Sequence, residues 1–295
     1  MNLSLSRSFP IAKAALAAAV IACVVALTCS LTGCASGGTD SSSADADNTS
    51  ASTDGKTLRV AMELAYPPFE TKDDAGNPEG LAVDFIRDFG AAYGYDVQIE
   101  NTSWDGLIPS LQSDKADLVI SSMTITDERK QSVDFSDAYA MAQLAILANA
   151  DSGVASIDDL NQPGKKVAVK TGSTGDVYAT KNLTNAEIVR LADESACVTE
   201  VVQGKADGFL YDQLTIYRNH QANPDTTEAV FIPFQDAEEW GIAVKKGNTE
   251  LLDQLNAFIA QSKTDGEFDR LTEKYLADEK KAFDQYGFKW FFDFE

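Results

Sequence analysis

The feature that most constrains the fold is a regular alternation of short apolar segments with segments of helical periodicity. The first series runs through residues 58–62, 81–93, 96–99, 104–112, 117–120 and 127–131. The short segments have the length of buried strands, and the longer ones carry apolar residues at helical spacing. Strands that alternate with helices predict a largely parallel sheet covered by helices.

A second series of the same kind follows. Strand candidates lie at 144–147, 166–169, 187–190 and 206–210, and helix candidates lie near Asp176 and at 193–203. The chain therefore predicts an α/β protein with two similar lobes.

The last part of this pattern is predicted to return to the first lobe, which is otherwise short of helices. A strand at 241–244 precedes a helix that Asn248 can cap, with Leu251, Leu252, Leu255, Phe258 and Ile259 on one face. We therefore define lobe one as residues 56–143 and 241–277, and lobe two as residues 144–240. A chain that leaves one lobe and comes back crosses twice, and two crossing strands make a hinge.

Residues 1–33 have the composition of an export signal. Arg7 and Lys13 precede an apolar run at 14–27 that is short for a membrane-spanning helix. Residues 34–55 contain no large apolar side chain and predict a flexible tether. An ordinary signal anchor is the alternative interpretation of this start.

The cysteine and histidine content excludes several kinds of site. Cys23 and Cys29 lie in the predicted signal, Cys34 follows it, and Cys197 lies in an apolar helical pattern that predicts a buried thiol. His220 is the only histidine. The sequence therefore supports no disulfide within the mature chain, no Cys/His metal site and no cofactor.

The acidic charge excludes two classes of partner. The formal charge is −22, and removal of residues 1–33, which hold two basic and no acidic residues, makes it −24. Such a surface argues against nucleic acid and against anionic membrane surfaces.

Several segments carry a family resemblance. The stretch WDGLIPSLQSDKADLVISSMTITDERKQSVDFSDAYA at 104–140 is the most specific, and four others support it: AYPPFE at 65–70, VAVKTGSTGD at 167–176, GKADGFLYD at 204–212 and DGEFDRLTEKYL at 265–276. Together they resemble the bacterial extracellular solute-binding proteins of family 3, the amino-acid binders related to histidine- and glutamine-binding proteins.

The resemblance implies a two-lobe periplasmic-binding-protein type II fold, with two Rossmann-like lobes joined by a two-strand hinge. It also implies a monomeric substrate-binding protein that delivers an amino acid to the permease of an ABC importer. Such a protein is not an enzyme. The string LTGC at 31–34 resembles the lipobox of bacterial lipoproteins. That likeness makes Cys34 the lipid-modified first residue, held at the extracellular face of the cell membrane.

Arg129 is the leading candidate for the ligand carboxylate. A desolvated amino acid needs a cation for its carboxylate and an anion for its ammonium. Arg129 lies just past a predicted strand, in a short helix opened by Thr126; a surface cation is the alternative interpretation. The resemblance assigns the carboxylate to positions in this turn and in the turn at 172–175: Ser121, Ser122, Thr124, Arg129, Ser173 and Thr174.

Asp212 is the candidate residue of lobe two for binding the ligand ammonium. It follows a predicted strand, at the sheet edge where open α/β sheets hold ligand groups, and the resemblance assigns the ligand ammonium to it. Asp212 can also cap a helix at 213–219, and the two roles are compatible. Because Arg129 and Asp212 belong to different lobes, only a closed cleft pairs both ends of a ligand.

Selectivity for the ligand side chain is assigned by position matching to Glu63, Tyr66, Trp104, Lys170, Tyr211 and Met123. Tyr66 and Trp104 are suited to enclose an aliphatic stem, although aromatic residues at strand ends are as often part of a core. Glu63 favours a hydrogen-bond donor on the ligand, and Lys170 favours an acceptor. Glutamine satisfies both, while arginine, histidine, lysine and glutamate stay open.

Two other functions are alternatives to transport. A cyclohexadienyl dehydratase would need a general acid, for which Glu63 is the candidate. A ligand-sensing receptor subunit would use the same binding chemistry.

Residues 278–295, here called the C-terminal extension, lie beyond the family pattern and are rich in phenylalanine. They are expected to pack on lobe one or to face a partner.

Overall fold

The computed structural model describes residues 56–286 and 289–294. The predicted export signal, the tether and Cys34 lie outside these residues. Within them, no helix is both long enough and apolar enough to cross a membrane.

The first part of the chain contains the predicted strands and helices of lobe one. In order these are β1 (Lys56–Met62), β2 (Thr71–Lys72), β3 (Pro78–Glu79), α1 (Leu81–Tyr93), β4 (Tyr95–Asn101), α2 (Leu107–Gln112), β5 (Leu118–Val119), α3 (Asp127–Lys130) and β6 (Val133–Phe135). Gly94, at φ 74°, ends α1 in the left-handed conformation that glycine adopts without strain. The helix expected at 104–112 begins as a 3₁₀ turn, Trp104–Gly106.

The middle of the chain forms lobe two between two short strands. In order the elements are β7 (Ala140–Ala142), β8 (Leu144–Asn149), α4 (Ile157–Leu160), β9 (Lys166–Lys170), α5 (Thr174–Asn182), β10 (Glu187–Leu191), α6 (Glu194–Val202), β11 (Gly208–Asp212), α7 (Gln213–Ala222), β12 (Thr227–Val230) and β13 (Glu238–Trp240). The chain then returns with β14 (Ala243–Lys245), α8 (Thr249–Ser262), α9 (Glu267–Tyr275) and α10 (Ala277–Tyr286).

The two large sheets have the same layout. Lobe one has the order β4-β1-β5-β14-β6, and lobe two has the order β10-β9-β11-β8-β12. In each sheet three neighbouring strands are parallel, and the last two are antiparallel to their neighbours. The expected return to lobe one is confirmed, because β14 pairs with β5 and β6. Asn248 caps α8 as expected, accepting from the backbone N–H of Leu251.

The hinge is formed by β7 and β13, which pair antiparallel from Ala140 with Trp240 to Ala142 with Glu238. This pair lies where the chain passes between the two sheets, next to the expected limits at 143/144 and 240/241. The two-strand hinge is therefore present, and Glu238 and Trp240 belong to it. The residue limits of the lobes stay a prediction.

The lobe one core receives the apolar faces of α1, α8 and α9, including Phe85, Leu255 and Leu271. Lobe two has apolar clusters on both faces of its sheet, as expected for a sheet covered by helices on both sides. Cys197 is fully buried in one of these clusters, as its apolar helical setting indicated. Burial raises the pKa of its thiol to about 12, which leaves the thiol protonated at neutral pH.

The C-terminal extension packs on lobe one. Phe283, Trp290 and Phe291 are buried in the lobe one core, and the Phe291 ring lies 5.1 Å from that of Phe69. The backbone oxygen of Phe291 also accepts a hydrogen bond of 2.6 Å from the N–H of Met141, on the hinge strand β7. The first of the two expectations for this segment therefore holds for its described residues.

Phe291→Ala is expected to lower the free energy of unfolding by about 3–5 kcal/mol, because it leaves a cavity among aromatic rings. Chemical denaturation monitored by circular dichroism would measure the loss. Phe294→Ala is the matched control. The Phe294 ring is only partly buried, so its removal should lower the free energy of unfolding clearly less. Equal losses for the two variants would contradict the burial of the extension in the core.

Candidate functional site

A cavity lies between the lobes, at the carboxyl ends of the parallel strands of both sheets. Its empty volume, including solvent at its mouth, is about 470 Å³. It is lined by Glu63, Tyr66, Glu70, Trp104, Ser121, Ser122, Thr124 and Arg129 from lobe one, by Leu144, Ser173, Thr174, Tyr211 and Asp212 from lobe two, and by Glu238 and Trp240 from the hinge.

Arg129 spans the cleft from lobe one. Thr126 caps α3 by accepting from the Arg129 backbone N–H, which fixes the start of this short helix. The guanidinium donates from Nη1 to the backbone oxygen of Thr124 at 2.7 Å and from Nη2 to that of Gly172, in lobe two, at 3.1 Å. Burial lowers its pKa, and nearby acidic groups, Glu238 first, oppose that shift. The guanidinium stays charged, and three of its five N–H donors are left for other acceptors.

The hydroxyl groups of the turn after β5 have partners of their own. Ser121 Oγ accepts from the backbone N–H of Glu63 at 3.0 Å, and Ser122 Oγ donates to Glu70 Oε2 at 3.1 Å. Ser122 has φ 47°, a strained value for a residue other than glycine and one that is common at ligand sites. Ser121, Ser122 and Thr124 thus line the cavity, but the hydroxyls of Ser122 and Thr124 already donate to acids, Glu70 and Glu238.

Asp212 ends β11 and caps α7. Its Oδ1 accepts from the backbone N–H groups of Leu214 and Thr215, at 3.0 and 3.1 Å. Its Oδ2 is buried, and it has no hydrogen-bond partner among the described residues. Burial raises the pKa of Asp212, and the Tyr66 hydroxyl and the backbone N–H groups oppose part of that rise. The helix-capping role and a cavity-facing oxygen therefore coexist in one side chain.

The turn at 172–175 brings lobe two to the same cavity. Ser173 caps α5 by accepting from the Asp176 N–H, and Thr174 donates its hydroxyl to Glu238. Gly175 must lack a side chain, because a Cβ there would lie 2.4 Å from the backbone oxygen of Leu210. The glycine therefore lets the start of α5 pack closely against β11, the strand that ends at Asp212.

A buried ion pair between the lobes joins Glu63, which lines the cavity, to Lys170, which does not. Lys170, at the end of β9, pairs with Glu63, which follows β1. Their side chains are only 5% and 13% exposed, so each neutralises the other in a poorly solvated place. Lys170 Nζ also lies 5.1 Å from the centre of the Trp104 ring, and the Arg129 guanidinium lies 5.2 Å from it. The Trp104 ring therefore lies within cation–π distance of both side chains.

Tyr66 and Tyr211 form an aromatic wall, with ring centres 6.1 Å apart in an edge-on arrangement. Both line the cavity. The buried Tyr66 hydroxyl lies near enough to Asp212 to favour its ionised form, but it makes no hydrogen bond of standard length and angle with any described residue. Burial raises the pKa of both phenols well above its usual range, so both are neutral donors at physiological pH.

The prediction for Met123 is wrong. Its side chain is 1% exposed and packs in a lobe one cluster with Leu107 and Val133 instead of lining the cavity. Ser122, at φ 47°, interrupts the extended backbone of this turn, so strand alternation does not apply here. The turn places Ser121, Ser122 and Thr124 at the cavity and Met123 in the core.

Two acids of the site were missed. Glu70 is 1% exposed, and burial raises its pKa well above the usual range, against the effect of the Ser122 hydrogen bond. Glu238 accepts from the hydroxyls of Thr124 and Thr174, and burial raises its pKa as well. Glu70 lies within the AYPPFE segment, which was a usable signal. Glu238 lies in an acidic stretch that looks like exposed surface in sequence.

Comparison with known proteins identifies the family. A model of the bacterial extracellular solute-binding proteins, family 3, matches residues 58–278. The chain belongs to this family. The expected resemblance and the expected two-lobe fold are therefore confirmed. The match ends at residue 278, so most of α10 and the aromatic residues after it lie beyond the part shared with the family.

Several characterised proteins are similar to this solute-binding protein. A probable histidine-binding protein of Neisseria gonorrhoeae is 36% identical over 228 residues, covering 76% of this chain and 85% of that protein. Structures of ancestral arginine-binding proteins bound to arginine and to glutamine are 36% identical, with a TM-score of 0.69, and cover 75% of this chain and 98% of theirs.

A further structure bears on the enzyme alternative. It is an ancestral amino acid-binding protein described as a precursor of cyclohexadienyl dehydratase, with 38% identity and a TM-score of 0.68, covering 74% of this chain and 94% of that one. That protein is itself a binding protein. The family and its similar curated relatives are substrate-binding transport proteins and not enzymes.

Proposed function

We propose that this solute-binding protein captures a polar L-amino acid by closing its lobes and delivers it to the permease of an ABC importer, with glutamine as the favoured ligand. The observation that carries the proposal is the buried Oδ2 of Asp212, which has no hydrogen-bond partner within residues 56–286 and 289–294, in a cavity that also holds Arg129. A buried carboxylate oxygen without a partner is costly, and a ligand ammonium would satisfy it.

Arg129 and Asp212 suit the two charged groups of an amino acid. Arg129 provides a planar cation for the α-carboxylate, and Asp212 provides the anion for the α-ammonium. Arg129 belongs to lobe one and Asp212 to lobe two, so a ligand that pairs with both stabilises the closed form. The hydrogen bond from Arg129 to Gly172 and the ion pair of Lys170 with Glu63 also join the lobes.

The choice of ligand rests on the Glu63–Lys170 pair. Glu63 alone would favour a cationic side chain, but Lys170 neutralises it. An uncharged side chain with both a donor and an acceptor, such as the glutamine amide, fits a neutral pair better than a full charge does. Tyr66, Trp104 and Tyr211 would enclose the methylene groups of the ligand.

The same proposal includes the setting of the protein. Residues 1–33 direct export, Cys34 carries the lipid, and residues 34–55 hold a monomeric binding protein at the extracellular face of the membrane. Incorporation of labelled palmitate into wild-type protein, and its loss in Cys34→Ala, would test this part separately.

A thermal-shift screen against the twenty amino acids tests the function. A ligand at 100 times its dissociation constant adds about 2.7 kcal/mol to the free energy of unfolding, which gives a clear shift. Glutamine is expected to give the largest shift, and calorimetry would then give the affinities. Tighter binding of leucine than of glutamine, arginine and glutamate would reject the proposed pocket.

Lys170→Met is expected to change the ligand preference. It leaves Glu63 without its cation, so glutamine should bind about tenfold more weakly relative to arginine. The ratio of the two affinities, measured by calorimetry, is informative even if the variant is less stable. Lys166→Met is the matched control on the same strand, since Lys166 is exposed and makes only a 3.6 Å surface ion pair. An unchanged ratio in Lys170→Met would remove the basis for favouring glutamine.

A further inference from the structure

Glu238 is an acid of the hinge that the family resemblance did not bring into the site. It begins β13 and pairs with Ala142, the last residue of β7, so it lies at one end of the hinge pair. Its side chain points into the cavity and helps to line it. A charged group at this place has contacts with both lobes at once.

One carboxylate oxygen makes these contacts. Glu238 Oε2 accepts from Thr124 Oγ1 of lobe one at 2.9 Å and from Thr174 Oγ1 of lobe two at 2.7 Å. The other oxygen, Oε1, accepts from Gln235 Nε2 at 2.7 Å, which holds the carboxylate in this orientation. Hydrogen bonds to an ionised acceptor are stronger than neutral ones, so these contacts carry more energy than ordinary hydroxyl bonds.

These bonds limit what the threonines can do for a ligand. A hydroxyl has a single proton to donate. While Thr124 and Thr174 donate to Glu238, neither hydroxyl can donate to a ligand carboxylate. The carboxylate is then left to the Arg129 guanidinium and to backbone N–H groups such as that of Thr174, which begins α5 and has no acceptor within the helix.

We propose that Glu238 is a positioning residue that stabilises the closed cleft through an interlobe bridge formed by Thr124, Glu238 and Thr174. Both hydroxyls reach one oxygen only while the lobes are close together, so opening the cleft must break at least one of the two bonds. The bridge therefore slows ligand release without touching the ligand. This inference rests on the proposed function, since it gives the closed form its role in holding an amino acid.

Glu238→Gln is expected to weaken binding of L-glutamine about tenfold, because it replaces charge-assisted hydrogen bonds by neutral ones of similar shape. The loss should come from faster dissociation, with little change in the association rate, since the bridge forms after the ligand has entered. Stopped-flow fluorescence would measure both rates. Glu239→Gln is the matched control, with the same charge change on the next residue, whose side chain is exposed.

A double-mutant cycle separates the bridge from a general loss of stability. Thr174→Val and Glu238→Gln should each accelerate dissociation, and the double variant should be little worse than either, because both remove the same contact. Additive effects would overturn the proposal. Tighter binding in Glu238→Gln would also overturn it, since Glu238 would then compete with the ligand carboxylate.

Small-angle scattering of the ligand-free proteins tests the bridge without any ligand. Glu238→Gln should have a larger radius of gyration than wild type and Glu239→Gln, because its closed form is less populated. Equal radii would overturn the bridge. If the wild type bound none of the twenty amino acids, the proposed function would fail, and this measurement would still decide whether the bridge exists.

Discussion

Arg129→Ala is expected to weaken binding of the preferred amino acid by at least about 100-fold. The ligand carboxylate would lose its proposed cationic partner and would stay desolvated without a charge to pair with. The variant also loses the hydrogen bond from Arg129 to the backbone oxygen of Gly172, one of the direct contacts between the lobes. Isothermal titration calorimetry with glutamine and arginine would measure the change.

Arg129→Lys distinguishes charge from geometry. Lysine keeps the positive charge but cannot form two parallel hydrogen bonds to a carboxylate, so we expect an intermediate loss of about tenfold. Lys130→Ala, which removes an exposed cation from the neighbouring position of α3, should bind normally. Near-normal affinity of Arg129→Ala would mean that the carboxylate is held elsewhere.

Asp212→Asn is expected to cause a loss of similar size, about 100-fold or more, with little change in the stability of the fold. Asparagine caps helices about as well as aspartate, so the bonds that Oδ1 accepts from Leu214 and Thr215 can persist. The anion for the ligand ammonium is lost, however, and an amide N–H₂ facing that ammonium would be repulsive. Calorimetry and an unfolding curve, measured on the same preparation, would separate binding from stability.

Asp193→Asn is the matched control for this variant. Asp193 precedes α6 in lobe two, is exposed, and makes no capping hydrogen bond with its side chain. It should bind the ligand as the wild type does. If Asp212→Asn kept its affinity while Arg129→Ala lost it, the cavity would bind an anion without a paired ammonium, and the ligand class would have to change.

The pH dependence of binding gives an independent check on Asp212. The ammonium requires the ionised carboxylate, and burial raises the pKa of Asp212 in the free protein. Affinity should therefore fall as the pH is lowered, and the fall should begin above the usual titration range of aspartate. Glu70, Glu194 and Glu238 lie in or near the cleft and also have raised pKa values. The pH dependence of affinity that remains in Asp212→Asn would show how much of the fall comes from those three groups.

Much of the fold could be predicted from the local pattern of the sequence. Strand periodicity and helical periodicity depend on which residues are apolar, and that is visible in one dimension. The capping role of Asn248, the buried setting of Cys197 and the return of the chain at β14 follow from the same pattern. The aromatic content of the C-terminal extension indicated packing, but not that Phe291 would contact the hinge strand β7.

The site was predictable only in part, because hydrogen-bond partners far apart in sequence are not visible in a local pattern. Arg129 and Asp212 follow strand ends, where α/β folds place functional groups, and both line the cavity. Met123 was misassigned because the side to which a loop residue points depends on its neighbours in space. Glu238 was missed because its importance comes from Thr124 and Thr174, which lie 114 and 64 residues away.

The sequence by itself determined the α/β class, the two lobes with a double crossing, and the kinds of charged group that an amino acid would need. Only the tertiary structure decided which groups are already paired: Lys170 with Glu63, Ser122 with Glu70, and the two threonines with Glu238. The physical reason is that hydrophobic patterning acts along the chain, whereas the pairing of buried polar groups depends on distances and burial between elements. Asp212 Oδ2, a buried carboxylate oxygen without a partner among the described residues, became apparent only at that level.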